Sequence, residues 1–264
     1  MFSSTSIVVV LSAAALGADP ASDAPANGEA AKRLAEMQEA AAAYELFRGN
    51  DKERPLDFSE KPILRYTDNI TGVPDGSLFL WTKDERPEAV VCIWYHPNGA
   101  RYHEFQSLSG TSLVARADSV DEWTPTVPGA EFHSLDQANK PAATDRQRLV
   151  QMRAIARQFS AAVSDVKYGR QELRLLPQPI YRYGKADSPV LDGALFAFAK
   201  GTNPEIMLLV EARDDGNSEV EWHYAPVRMS SRECEMKHMD KSVWQLPLTK
   251  RQQRTEPYFN RVFR

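Results

Sequence analysis

The residues best suited to acid–base chemistry are Glu211, His223 and His103. Glu211 and His223 fall in neighbouring extended segments, and the register of an internal repeat sets them opposite each other. A carboxylate facing an imidazole raises its pKa and orients it as a general base, as a hydrolase would require. The alternative is a cross-strand ion pair worth about 0.2–1 kcal/mol. We favour the ion pair because the pattern brings no nucleophile nearby.

His103 follows a turn signal, Asn98-Gly99, and aligns with His223 in the repeat. A two-residue turn there places Trp94 opposite His103 and Tyr95 opposite Tyr102. His103 is therefore the third candidate for a catalytic role. Trp94 stands where the second copy has Glu211, so His103 has no carboxylate opposite it.

Two Arg-Tyr dipeptides, Arg65-Tyr66 and Arg182-Tyr183, are the candidates for ligand binding. A guanidinium beside an aromatic ring suits recognition of a carboxylate, a sulfate or a sugar. The alternative is structural, with each arginine packed over an aromatic ring. We favour the structural interpretation because both dipeptides occupy the same place in the repeat.

Known catalytic and metal-binding motifs are missing from the sequence, including G-x-S-x-G, H-E-x-x-H, C-x-x-C and the phosphate-binding glycine loops. The five histidines are dispersed, and Cys234 and His238 lie about 13 Å apart along one strand. We therefore expect no metal site and no cofactor. A net charge of −4 also gives no basic face for nucleic acid.

The elements that position these residues recur along the chain. Sliding residues 62–95 by 117 positions onto residues 179–212 matches 12 of 34 residues, where about two are expected. This pattern predicts a tandem duplication. Each copy begins with apolar residues at helical spacing, over residues 29–47 and 145–166, and continues with short extended segments. In the second helix, Thr144 or Asp145 is available as the N-cap, and the apolar stripe comprises Leu149, Met152, Ile155 or Ala156, Phe159 and Val163.

The predicted fold class is α+β. Each half is a helix followed by an antiparallel meander of four to six strands, and pseudo-twofold symmetry relates the halves. The predicted organisation is a signal peptide (1–18), a flexible linker (19–28), a first repeat (29–127), a linker (128–143), a second repeat (144–249) and a basic, aromatic tail (250–264).

Residues 7–16 form an apolar run that is too short to cross a bilayer but is typical of a signal peptide. The run predicts export to the periplasm or the extracellular space, without an integral membrane segment. Cys92 and Cys234 are the only two thiols. Cys92 lies in an apolar run, so we expect it to be buried. The sequence leaves open whether Cys92 and Cys234 form a disulfide.

The tail contains five basic residues and one acidic residue, with Tyr258, Phe259 and Phe263 among them. It suits docking on an anionic polymer or membrane surface. The alternative, which we favour, is a solvated end whose aromatic side chains pack back on their own domain.

Three segments, RLLPQPIYRY (174–183), DGALFAFAKGTNPEIMLLVEAR (192–213) and RPEAVVCIWY (86–95), resemble an uncharacterised family of exported bacterial proteins. The resemblance spans nearly the whole mature chain and supports secretion. It implies no activity, substrate or catalytic residue.

These observations predict a non-enzymatic exported protein whose paired sheets form a cleft or surface for a ligand or partner. An envelope polymer or another exported protein is the candidate partner. The alternative is an exported hydrolase that uses His223 and Glu211 as its acid–base pair.

Overall fold

The structure, a computed structural model, describes residues 24–49, 51–135, 138–185, 188–214, 219–249 and 253–263. The predicted signal peptide, residues 1–18, lies outside the described residues, as do residues 19–23 of the predicted linker. Residues 24–28 of that linker belong to a helix instead.

The first part of the chain forms helix α1 (Ala24–Ala42) and strands β1 (Glu45–Arg48), β2 (Asp51–Pro55), β3 (Asp57–Phe58), β4 (Leu64–Asp68), β5 (Val73–Lys83), β6 (Arg86–Tyr95), β7 (Arg101–Ser107), β8 (Leu113–Ala117), β9 (Val120–Trp123) and β10 (His133–Ser134). The second part forms helix α2 (Asp145–Ala156) and strands β11 (Phe159–Asp165), β12 (Gly169–Leu175), β13 (Tyr181–Tyr183), β14 (Val190–Lys200), β15 (Asn203–Asp214), β16 (Val220–Arg228), β17 (Glu233–His238), β18 (Lys241–Leu246) and β19 (Tyr258–Phe263).

The predicted fold class is wrong. The described residues are mostly β, with 54% in strands and 12% in helices, and they build large curled antiparallel sheets. The strands form a four-stranded sheet (β2-β1-β8-β9), a six-stranded sheet (β19-β7-β6-β5-β3, with β4 also on β5) and a nine-stranded sheet (β10-β16-β15-β14-β12-β11-β17-β18, with β13 on β14). A helix-then-meander α+β duplication does not describe this arrangement.

The error lies in the residues that follow each helix. Helix α1 ends at Ala42, and the apolar residues Leu46 and Phe47 belong to β1, which pairs with the distant strand β8. Helix α2 ends at Ala156, and residues 159–165 form β11, which pairs with both β12 and β17. These long-range pairings replace the last turns of the predicted helices and break the sequential strand order.

The start of α2 is confirmed. Thr144 has an extended backbone, and its side chain accepts a hydrogen bond from the backbone N–H of Gln147, as an N-cap does. Met152 and Ile155 of the predicted apolar stripe are buried. Among the described residues, neither helix is long and apolar enough to cross a membrane.

The central strands of both large sheets are covered on both faces. In β5, Leu78 and Leu80 enter a core shared with the nine-stranded sheet, whereas Phe79 and Trp81 pack against α1 and β1. In β14, Leu195 enters the shared core and alternate residues pack on the α2 side. We call the shared core between the two large sheets the inter-sheet core.

Two aspartates fasten the helices to these sheets. Asp75 accepts hydrogen bonds from Arg65 at 2.6 and 2.9 Å and from Arg33 of α1 at 3.3 Å. Asp192 accepts hydrogen bonds from Arg182 at 2.8 and 3.0 Å and from Arg148 of α2 at 2.8 Å. Both carboxylates are buried, so each needs these cations.

Of the two predicted hairpin registers, one is confirmed and one is wrong. Glu211 lies opposite His223, as predicted. Trp94 lies opposite Tyr102, and His103 faces Ile93, one residue away from the prediction. The backbone N–H of His96 bonds to Ala100, which leaves a three-residue loop where a two-residue turn was expected.

The tail and the predicted linker both contribute strands. Residues 258–263 of the tail form β19, which pairs with β7 at the edge of the six-stranded sheet. Tyr258 and Phe259 are buried there. In the predicted linker 128–143, β10 pairs with β16. The domain boundaries themselves stay a prediction.

We expect Asp192→Ala to lower the free energy of unfolding by about 3 kcal/mol or more, because it leaves two partly buried guanidinium groups without their carboxylate. Urea denaturation followed by tryptophan fluorescence measures the change. The control is Glu172→Ala, which removes an exposed carboxylate paired with Arg170 and should cost less than about 1 kcal/mol. If both variants lose the same free energy of unfolding, the contacts of Asp192 with Arg148 and Arg182 stabilise the fold no more than an exposed ion pair does.

Candidate functional site

A cleft opens at one end of the inter-sheet core and has a volume of about 250 Å³. The six-stranded sheet contributes Tyr66, Trp94 and Glu104, and the nine-stranded sheet contributes Asn203 and Glu205. The loop after β16 and two further residues complete the wall, with Met229, Ser230, Ser231, Arg232, Thr71 and His96. We call this space the carboxylate cleft.

Glu104 projects from β7 into the cleft because its neighbours His103 and Phe105 occupy the opposite face of the strand. Its Oε1 accepts hydrogen bonds from the Tyr258 hydroxyl at 2.7 Å and from Asn260 Nδ2 at 3.1 Å. Its Oε2 accepts one from Trp94 Nε1 at 3.1 Å. Glu104 is half-buried and remains open to solvent through the cleft.

Glu205 stands at the start of β15 and is 4% exposed. Its Oε1 accepts a hydrogen bond from Arg232 at 3.0 Å and a longer one from Asn203 at 3.4 Å. Arg232 is shared, because it also forms an ion pair with Asp165 at 3.0 Å. One guanidinium therefore serves two carboxylates.

The environment makes Glu104 a weaker acid than an ordinary glutamate. Burial raises the pKa of Glu104 to about 7, and the nearby charge of Glu205 adds to the rise, while the hydrogen bonds from Tyr258, Trp94 and Asn260 oppose it. Burial also raises the pKa of Glu205, against the charge of Arg232. The cleft thus contains two carboxyl groups that are both reluctant to ionise without a compensating cation.

Aromatic rings complete the lining. Trp94 stacks on Tyr102 with ring centroids 4.3 Å apart and lies 6.2 Å from the ring of His96. Tyr66 is buried, and its hydroxyl lies 3.4 Å from Cys92 Sγ. Aromatic faces beside carboxylates are the surroundings that stabilise an organic cation. Within the described residues, no three potential His, Cys, Asp or Glu ligands group together around a metal position.

The predicted Arg-Tyr dipeptides separate across the sheets. Arg65 and Arg182 point to the helices, where each also donates to a helix backbone carbonyl, that of Ala30 at 2.7 Å and that of Asp145 at 2.6 Å. The tyrosines point to the inter-sheet core. Tyr66 reaches the carboxylate cleft, whereas Tyr183 donates to Glu211 Oε1 at 2.6 Å.

Glu211 is fully buried between the sheets. Besides Tyr183, its Oε1 accepts a hydrogen bond from Arg86 of β6 at 3.1 Å, and its Oε2 lies 3.4 Å from Arg213 Nε. Glu211 therefore joins the six-stranded sheet to the nine-stranded sheet. His223 stands opposite it on β16 and lines none of the three cavities described in this structure.

His103 lies on the other face of the six-stranded sheet and is 2% exposed. Its Nδ1 is 2.8 Å from the Tyr44 hydroxyl, and its ring lies 4.3 Å from that of Phe263. Burial and the charges of Arg101 and Arg261 lower the pKa of His103 to about 3. This imidazole is neutral at ordinary pH and is a poor base.

The two thiols are free and buried. Burial raises the pKa of Cys92 far above its ordinary value and raises the pKa of Cys234 to about 11. Both stay protonated at neutral pH, and thiolate is the nucleophilic form of cysteine.

Sequence reasoning missed Glu104, Glu205, Trp94, His96 and Arg232. A signal was present for Glu205, because a Pro-Glu pair opens an otherwise apolar strand and recurs at Pro87-Glu88. A carboxylate in such a strand must be buried and paired. The signal for Glu104 was weaker. It lies between His103 and Phe105 in a strand, so its side chain must face the side of the sheet opposite to theirs.

Comparison with protein-family models, with curated proteins and with solved structures finds no match to this chain. The resemblance to a family of exported bacterial proteins therefore stays a prediction.

We expect Glu104→Gln to alter how stability depends on pH. Between pH 4.5 and about 7 the folded protein retains a proton on Glu104 that the unfolded chain has lost, so wild-type stability falls as pH rises through this range. Glutamine has no such proton. The wild-type free energy of unfolding minus that of the variant should therefore fall over this range and level off above it.

Urea denaturation at a series of pH values measures this difference, with Glu172→Gln as the exposed control. A difference that stays constant from about pH 4.5 to 8 would rule out the raised pKa of Glu104.

Proposed function

We propose that this protein is a non-enzymatic, exported binding protein whose carboxylate cleft holds a small organic cation. The observation that carries the proposal is the convergence of Glu104 and Glu205 in one solvent-connected cavity with aromatic walls. A cation placed there compensates the charge that burial makes unfavourable on both carboxyl groups.

The charges around the cleft support a cation over an anion. Arg232 is the basic residue in the wall, and Glu205 and Asp165 already engage it. The charge of the buried Lys200 lowers the pKa of Glu205, and the charge of the buried Asp68 raises it. The four carboxyl groups in and around the cavity still outnumber its two cations, Arg232 and Lys200. An ionised Glu104 therefore leaves an excess of negative charge in the cavity.

The size and lining favour an amine or quaternary ammonium compound. A cavity of about 250 Å³ has room for a molecule of a few non-hydrogen atoms. The rings of Tyr66 and Trp94 offer cation–π contacts, which contribute about 0.5–1 kcal/mol each at exposed sites and about 2 kcal/mol when desolvated. Strongly hydrated metal ions gain less binding energy from such rings.

The hydrolase hypothesis, with His223 and Glu211, stays a prediction that these contacts do not favour. The Glu211 carboxylate has no exposed surface and is engaged by Tyr183 and Arg86. A general base needs an orienting carboxylate and a substrate within reach.

We predict that choline binds more tightly than its uncharged carbon isostere, by about tenfold or more at pH 8. Because a proton competes for Glu104, choline affinity should fall by about tenfold from pH 8 to pH 6. Isothermal titration calorimetry measures both effects.

Glu104→Gln should weaken choline binding and remove its pH dependence, while the exposed control Glu221→Gln should retain both. The isostere should be unaffected by Glu104→Gln. If choline and its isostere bind equally, or choline affinity is the same at both pH values, the cleft is not a cation site.

Export is proposed from the apolar run at residues 7–16. On expression in a bacterial host, the protein recovered outside the cytoplasm should begin at Asp19, as determined by N-terminal sequencing. Deletion of residues 7–16 should leave the protein in the cytoplasm. Recovery of the intact protein only from the cytoplasm would refute export.

A further inference from the structure

A second cavity, of about 550 Å³, lies beside the carboxylate cleft along β7 and β19. We call it the apolar cavity. Its walls are mostly apolar and aromatic, with Val127, Val227, Trp244, Leu246, Leu248 and Tyr258. Val127 is 49% exposed and Leu248 is 38% exposed, so apolar side chains also surround the opening. Apolar side chains left in water at the mouth of an apolar cavity indicate a ligand-binding site.

One polar group in this wall has no partner. Gln106 is 2% exposed, and its Nε2 donates to the Ser107 carbonyl at 2.7 Å. That bond fixes the orientation of the amide. The other amide atom, Oε1, accepts no hydrogen bond from any described protein group. A buried acceptor without a donor costs about 1–3 kcal/mol, and a ligand donor recovers that energy.

The cavity is formed before a ligand arrives. Four prolines, Pro128, Pro226, Pro247 and Pro257, line it, and each fixes its own backbone φ angle. Gly129 lies so close to β7 that an added Cβ would be 2.1 Å from the Ser107 carbonyl oxygen. A rigid wall lowers the entropy cost of binding.

The acidic side chains at the opening oppose the entry of an anionic ligand. Glu131 and Glu256 are exposed at the rim. Arg228 is the cation in the wall, but its guanidinium donates to the carbonyls of Ser230, Arg232 and Pro247. An alkyl carboxylate would therefore meet acidic side chains and would offer no donor to Gln106.

We propose that the apolar cavity binds an uncharged molecule with an apolar body and one hydroxyl or amide N–H group, which donates to Gln106 Oε1. This site is separate from the cation site, although Tyr258 of its wall bonds to Glu104 of the carboxylate cleft. The Tyr258 hydroxyl is taken by Glu104, and its ring forms part of the apolar wall.

Three probes of equal chain length test the proposal: decanol, its methyl ether and decanoate. Calorimetry with the wild-type protein should give decanol an affinity about tenfold above that of the ether, because only the alcohol supplies the donor. Decanoate should bind more weakly than decanol. Equal affinities for alcohol and ether, or no binding of either, would overturn the proposal.

Two variants locate the site. Gln106→Met keeps the size of the side chain and removes the acceptor, so the alcohol should fall to the affinity of the ether. Leu248→Asp, at the opening, should weaken both probes by the same factor. The matched control Val150→Asp places the same charge on an exposed apolar residue of α2 and should change neither affinity.

Choline titrations separate this proposal from the previous one. Gln106→Met should retain choline binding, and Glu104→Gln should retain the preference for decanol over its ether. Denaturation midpoints confirm that each variant is folded. A Gln106→Met variant that is folded and still prefers decanol would show that Gln106 is not the acceptor.

Discussion

Burial of both faces of the central strands of the two large sheets is the constraint on which the rest of the structure depends. Every buried charged side chain on these strands must find a partner inside the protein, because an isolated buried charge is too costly. Glu88 meets Arg48 and Arg86, and Glu211 meets Arg86 and Tyr183. Arg86 thus pairs with a glutamate of each large sheet. The carboxylate cleft lies between these sheets, where Glu104 has no cationic side chain bonded to it.

Local patterns in the sequence predicted local features of the fold. Thr144 caps α2, and Glu211 faces His223, because capping and hairpin register depend on residues close in sequence. The fold class failed on pairings between distant segments. Phe47 falls three residues after Tyr44 and continues the apolar spacing of the predicted helix, yet its backbone pairs with β8, more than 60 residues away. Helical spacing does not distinguish one more helical turn from a short strand with a distant partner.

The sequence pattern pointed to only one residue of the carboxylate cleft. Tyr66 was named as a binding residue and does line the carboxylate cleft, whereas its neighbour Arg65 fastens α1. Adjacent strand residues face opposite ways, so a dipeptide motif rarely acts as one unit in a sheet. Glu104 was missed because its surroundings come from β19, Trp94 and the loop after β16, which only the tertiary structure brings together.

The hydrogen bond between Tyr258 and Glu104 joins residues 154 positions apart in the chain. It forms only after β19 has docked on β7, and closing so long a loop is among the slow, entropically costly steps of folding. Tyr258 lines the apolar cavity and positions Glu104 in the carboxylate cleft, so neither cavity is complete in a partly folded chain. A ligand of either cavity therefore recognises the finished protein alone, and its binding energy favours closure of the whole molecule over any partly assembled intermediate.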